Sequence, residues 1–120
     1  MSASAKENQS LEIASPAALI MDGAGIVVEW TRDAEAIFGW QRTEAVGKKL
    51  SALIIPERQR AAHEAGLKYF LAGGPGTLID RTLKIVAIDR AGREFNVEFR
   101  ITAEKSDAGF RFATSARRVE

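Results

Sequence analysis

One histidine, His63, is the side chain of this sequence best suited to proton or ligand chemistry near neutral pH. It sits in Arg60-Ala61-Ala62-His63-Glu64-Ala65-Gly66-Leu67, and helical spacing puts positions 63, 66, 67 and 70 on one face. His63 is therefore expected to point inward beside Gly66, Leu67 and Phe70, hydrogen-bonded to a neighbour or to a ligand in a pocket. A single histidine cannot build a multi-histidine metal cage, and a chain with no cysteine has no disulfide, thiolate zinc site, iron–sulfur cluster or thiol nucleophile. The carboxylates are scattered, and none stands at a recognisable catalytic spacing from His63. The expectation is a binding module and not an enzyme.

Arg81 is the second candidate. Ile79, Arg81, Leu83, Ile85 and Ala87 share one strand parity, so the apolar majority marks an inward face on which Arg81 leans as a cation. It can hold a carboxylate or another polar group of a ligand, or make an ordinary salt bridge at a sheet edge. Trp30 and Trp40 suit either a pocket wall or the core. Gly73-Gly74-Pro75-Gly76 lacks the Lys-Ser/Thr ending of a phosphate loop and reads as a helix-to-strand connection. Gly47-Lys48-Lys49 reads as a helix end with well-placed charges.

A length of 120 residues leaves room for one domain. With 46% hydrophobic and 28% charged residues the composition is that of an ordinary globular core, and a net charge of +1 provides no field to hold nucleic acid. No apolar run approaches the roughly 20 residues of a membrane span. Met1 to Ser10 is polar and lacks the apolar stretch of a secretory signal, so a cytoplasmic location is expected.

Several elements must position these residues. Residues 1–16 read as a tail with a short apolar helix around Leu11 and Ala14, ended by Pro16. Ala17 to Asp22 and Gly25 to Trp30 read as strands joined by the turn Asp22-Gly23-Ala24-Gly25. Short helices follow over Asp33 to Phe38, Thr43 to Val46 with Thr43 as cap, and Lys48 to Ile54; Gly39 and Gly47 suit left-handed ends. Pro56 fits the first turn of a longer helix reaching about Ala72. Leu78 to Ile88, Glu94 to Ala103 and Phe110 to Val119 read as strands, separated by Asp89-Arg90-Ala91-Gly92 and Ser106-Asp107-Ala108-Gly109. The element order and the alternating strands give an α+β module.

From about Ala17 to the end the chain resembles the PAS sensor domains. The resemblance rests on Trp30-Thr31-Arg32-Asp33-Ala34-Glu35-Ala36-Ile37-Phe38-Gly39-Trp40, then Glu44-Ala45-Val46-Gly47 and Leu53-Ile54-Ile55-Pro56. It continues in the histidine-bearing helix and in Ala91-Gly92-Arg93-Glu94-Phe95. Thr31, Ala91 and Asn96 stand where the family usually has Asn, Asp and Pro. The resemblance implies a PAS fold over 17–119, a five-stranded antiparallel sheet with short helices and one longer helix packed on one face around a small cavity. It implies a ligand pocket whose candidate lining is Trp30, Phe38, Trp40, His63, Leu67, Phe70, Arg81, Leu83 and Phe99. Some oxygen-sensing members carry haem on a histidine in this motif, which makes haem on His63 an alternative. Their arginine lies twelve residues before the hairpin phenylalanine, where this chain has Leu83.

The expected function is a small-molecule sensor, the N-terminal input domain of a longer signalling chain. Its effector would be a DNA-binding region, a histidine kinase or a cyclase, with a transcriptional regulator favoured; a purely structural dimerisation module is the remaining alternative. Val86 and Ile88 on the opposite parity of their strand, and Leu19 and Met21 alternating with Ala18 and Ile20, suggest an outer sheet face covered by Leu11 and Ile13 or by a second subunit.

Overall fold

An aspartate and a glycine set the first turn. Asp22 Oδ1 accepts hydrogen bonds from the N–H groups of Ala24 and Ile26 at 2.9 and 3.0 Å, and Gly25 takes a φ of 80° that a side chain would resist. The turn joins β1 (Leu19–Asp22) to β2 (Val27–Trp30), antiparallel with Leu19 opposite Trp30 and a bulge between Ile20 and Met21. The computed structural model describes residues 18–74 and 79–119. The apolar helix expected around Leu11 and Ala14, and Pro75, Gly76 and Leu78, lie outside the described residues.

Four helices follow: α1 (Arg32–Phe38), α2 (Arg42–Ala45), α3 (Leu50–Ile54) and α4 (Glu57–Leu71). Thr31 caps α1 by accepting from the Ala34 N–H at 3.3 Å, and Gly39 ends it at φ 82°. The cap of α2 is Gln41 and not Thr43. Glu44 reaches back to the Gln41 N–H at 2.9 Å in a capping box, which starts the helix earlier than the threonine suggested. Pro56 caps α4 from just outside it.

Three strands complete the chain: β3 (Thr82–Ile88), β4 (Glu94–Ser106) and β5 (Gly109–Val119). The sheet order is β2-β1-β5-β4-β3, with all neighbours antiparallel. Phe95, Val97, Phe99 and Ile101 of β4 face the helices, as their alternation predicts. The first strand is shorter than expected, and Leu19 and Met21 lie buried on its inner face, which corrects their assignment to the outer one. Ile20 and Val86, on the outer parity, are half-buried, while the outer face of β4 and β5 carries Glu98 and Arg117, ion-paired at 2.6 Å.

The core lies between sheet and helices, with Trp30, Phe38, Leu19 and Ile54 among its largest fully buried side chains. Phe38 is its hub: its ring lies 5.7 Å from Trp30, 5.9 Å from Phe95 and 6.3 Å from Phe99. Trp30 Nε1 donates to the Trp40 carbonyl at 2.9 Å, and Trp40 Nε1 donates to the Leu53 carbonyl at 3.1 Å, so each buried indole polar group has a partner.

Candidate functional site

Backbone hydrogen bonds build the first wall of a groove. The Val27 N–H donates to the Lys48 carbonyl, the Gly47 N–H to the Val27 carbonyl and the Leu50 N–H to the Gly25 carbonyl, each at 2.9 Å. Residues 47–50 thus run beside the β1–β2 turn like a short extra strand, with Ile26 bridged to Lys49. This fixes Lys49 and Ser51 next to Gly23, Ala24 and Gly25.

The inner face of α4 forms the second wall. Arg60 Nε donates to the carbonyls of Ser51 and Ile55 at 3.0 and 2.9 Å, and Ser51 Oγ donates to Glu64 Oε2 at 2.8 Å, so α4 is pinned to α3. His63, Glu64, Leu67, Lys68 and Leu71 then face the turn across a partly open groove of about 260 Å³. A Cβ on Gly25 would meet Leu67 Cδ2 at 3.4 Å, and one on Gly23 would meet Leu71 Cδ2 at 3.9 Å. Both are ordinary contact distances, so the requirement for glycine at Gly25 comes from its φ of 80° and not from the approach of the helix.

The groove is polar at one side and apolar at the other. The hydrogen bond from Ser51 and the nearby Lys49 ammonium, at 3.7 Å, hold the Glu64 carboxyl below its ordinary value. Burial pushes the His63 imidazole down, against the pull of Glu64, which keeps it neutral. Neither His63 nitrogen has a hydrogen-bond partner among the described residues.

Of the expected pocket residues, His63 and Leu67 meet at this groove. Phe70 instead packs edge-on against Phe110 and Phe112, at 5.2 and 5.6 Å, which fills the space beneath the end of α4. Trp30, Phe38 and Phe99 are core residues, and Trp40 is half-buried with the Arg90 guanidinium 5.5 Å above its ring. Leu83 is half-buried on β3, whereas Arg81 is exposed and precedes the strand. Gly66, expected on the inward stripe, is also exposed, and Glu64 takes its place beside His63. Sequence reasoning missed Lys49, Ser51, Glu64, Lys68 and Leu71 as groove residues.

A haem on His63 does not fit this arrangement. The groove beside the imidazole, about 260 Å³, lies at the small end of ligand sites and is too small for a macrocycle the size of haem, and Glu64, Ser51 and Lys49 occupy its polar side. Among the described residues no group of three or more His, Asp or Glu side chains could hold a metal ion, and no helix is long and apolar enough to cross a membrane.

A family model described as the PAS fold matches residues 8–109. An uncharacterized protein of Azorhizobium caulinodans is 32% identical over 106 residues, covering 88% of this chain and 14% of that protein. Sensor protein FixL of Bradyrhizobium diazoefficiens is 35% identical over 49 residues, covering 41% of this chain and 10% of FixL. The chain therefore spans a small fraction of the length of these curated relatives. Among solved structures, the PAS domain of the Cronobacter turicensis RpfR quorum-sensing receptor superposes with a TM-score of 0.65 at 16% identity, covering 88% of this chain and 94% of that one. A PAS domain from Desulfitobacterium hafniense gives 0.69 at 15% identity, covering 93% and 100%. The fold built above is thus shared with solved PAS domains over most of its length, and with the family match over residues 8–109 the chain belongs to the PAS family.

Proposed function

We propose that this domain is the sensory input of a longer signalling protein, with a small organic molecule bound at the groove between α4 and the β1–β2 turn. The observation that carries the reading is the half-buried His63, without a hydrogen-bond partner among the described residues, beside Leu67 in a partly open groove between α4 and the β1–β2 turn. Sensor protein FixL among the relatives and the RpfR receptor domain in complex with C12:0 among the structures support a sensory role.

Occupancy of the groove would bias the contact between α4 and the hairpin, and so the population of two arrangements of the domain. The effector lies elsewhere in the full-length protein, which on this reading is a cytoplasmic transcriptional regulator that signals as a homodimer. The domain itself carries no catalysis and contacts neither nucleic acid nor membrane.

The test is a ligand screen by thermal shift on the purified chain, read with its visible spectrum and its mass in solution. A colourless protein stabilised by small organic compounds, with the stabilisation lost when Leu67→Trp fills the groove, supports the reading. A strong visible band that disappears in His63→Ala would replace it with a haem sensor. A dimer that no compound stabilises would leave a structural dimerisation module.

A further inference from the structure

The charges around the groove do not cancel. Lys49 is spent on Glu64, at 3.7 Å. Lys68 lines the same groove and makes no ion pair among the described residues. His63 is neutral and unpartnered, so the site is left with one positive charge and a free imidazole. Beside them on α4 lie the apolar Leu67 and Leu71, and the facing wall is the backbone of the β1–β2 turn with its glycines. That combination asks for a ligand with one negative charge at one end and hydrocarbon at the other.

Size narrows the class. A volume of about 260 Å³ corresponds to about nine water-sized units at roughly 30 Å³ each, which limits the occupant to a short chain. We infer that the groove binds a short-chain aliphatic monocarboxylate, its carboxylate at Lys68 and His63 and its hydrocarbon against Leu67 and Leu71. This rests on the sensory reading above and adds to it the charge and length of the ligand.

Hexanoate has the matching size and is the probe. Binding to the intact chain is followed by NMR, through the His63 ring and the methyl groups of Leu67 and Leu71, with 1-hexanol, hexylamine and decanoate as comparisons. The expected result is saturable hexanoate binding that shifts all three residues. Lys68→Glu, an exposed change that the fold tolerates, should weaken it at least about fivefold, as loss of about 1 kcal/mol of ion pairing implies. Hexanol, hexylamine and decanoate should each bind more weakly than hexanoate. Equal binding of hexanol, or hexanoate affinity unchanged in Lys68→Glu, would overturn the inference while leaving a ligand-sensing groove in place. Failure of every probe, together with compounds from the thermal-shift screen that shift His63 and Leu67, would overturn the carboxylate and keep the sensor. Silence of both experiments would remove the sensory reading as well.

Discussion

Ser51 Oγ donates to Glu64 Oε2 at 2.8 Å, and this bond joins the Arg60 contacts in holding α4 against α3. Ser51 is buried at 4% exposure, so its hydroxyl has no water to replace the carboxylate. Because His63 and Leu67 flank Glu64 on the same helix, the bond also anchors the stretch of α4 that meets the β1–β2 turn. Ser51→Ala should lower stability by about 1 kcal/mol in urea unfolding. A variant as stable as the parent would show that Arg60, through its bonds to the Ser51 and Ile55 carbonyls, holds the helix alone.

The same contact predicts a pH dependence. The Glu64 carboxyl is lowered from 4.5, first by the Ser51 hydrogen bond and then by Lys49. A depressed carboxylate stabilises the fold above its unfolded value, and that contribution disappears as pH falls through the folded value. Melting temperatures of the parent should therefore drop below about pH 4.5, and Glu64→Gln should flatten that part of the curve. Identical acid limbs in the two proteins would show that Glu64 adds nothing to acid sensitivity.

Thr31 stands where the family motif usually has asparagine, and its side chain does two jobs. It accepts from the Ala34 N–H at 3.3 Å and donates to the Ala18 carbonyl at 2.8 Å, which ties the start of α1 to the entry of β1. Thr31→Ala loses both and should cost about 1–2 kcal/mol, whereas Thr31→Asn keeps a capping oxygen and should stay within about 0.5 kcal/mol of the parent. Thermal unfolding of the pair separates capping from simple loss of volume.

Most of the sheet could be read from residue pattern because β4 alternates without a break and its turns carry glycine at φ 83° and 107°. Arg81 shows where that method stops. Arg81 lies between Asp80, at φ 62°, and the first residue of β3, so the inward parity of Leu83, Ile85 and Ala87 stops short of it. On α4 no residue is fully buried, so the helical period marks a broad half-covered face and does not choose between Glu64 and Gly66. The groove was hidden for another reason: it depends on residues 47–50 pairing with the first hairpin, a non-local backbone contact that side-chain pattern does not encode. Lys49 therefore looked like an ordinary helix-end charge.

Phe38 has no exposed surface and touches aromatic rings from β2 and β4. Phe38→Ala should cost about 3–5 kcal/mol, while Phe38→Leu, which keeps most of the volume, should cost far less. Small losses for both would mean that the core collapses around the site, and denaturant midpoints distinguish the cases.

His63 gives the fold a second pH dependence, above the Glu64 limb. Burial lowers its folded value from 6.5, so between the two values the unfolded chain binds a proton that the folded chain does not. Stability therefore rises with pH through this window and is lost as pH falls below about 6.5 toward the folded value. Glu64 at the next position pulls the other way, and Lys49 from the facing wall and Lys68 from the same helix line the same groove. His63→Gln should remove the slope that begins below about pH 6.5 without touching the Glu64 limb. Urea midpoints across that range are the measurement. A slope that persists in His63→Gln would mean that His63 is as well solvated in the fold as out of it, which would also weaken its role as the neutral hydrogen-bonding group of the groove.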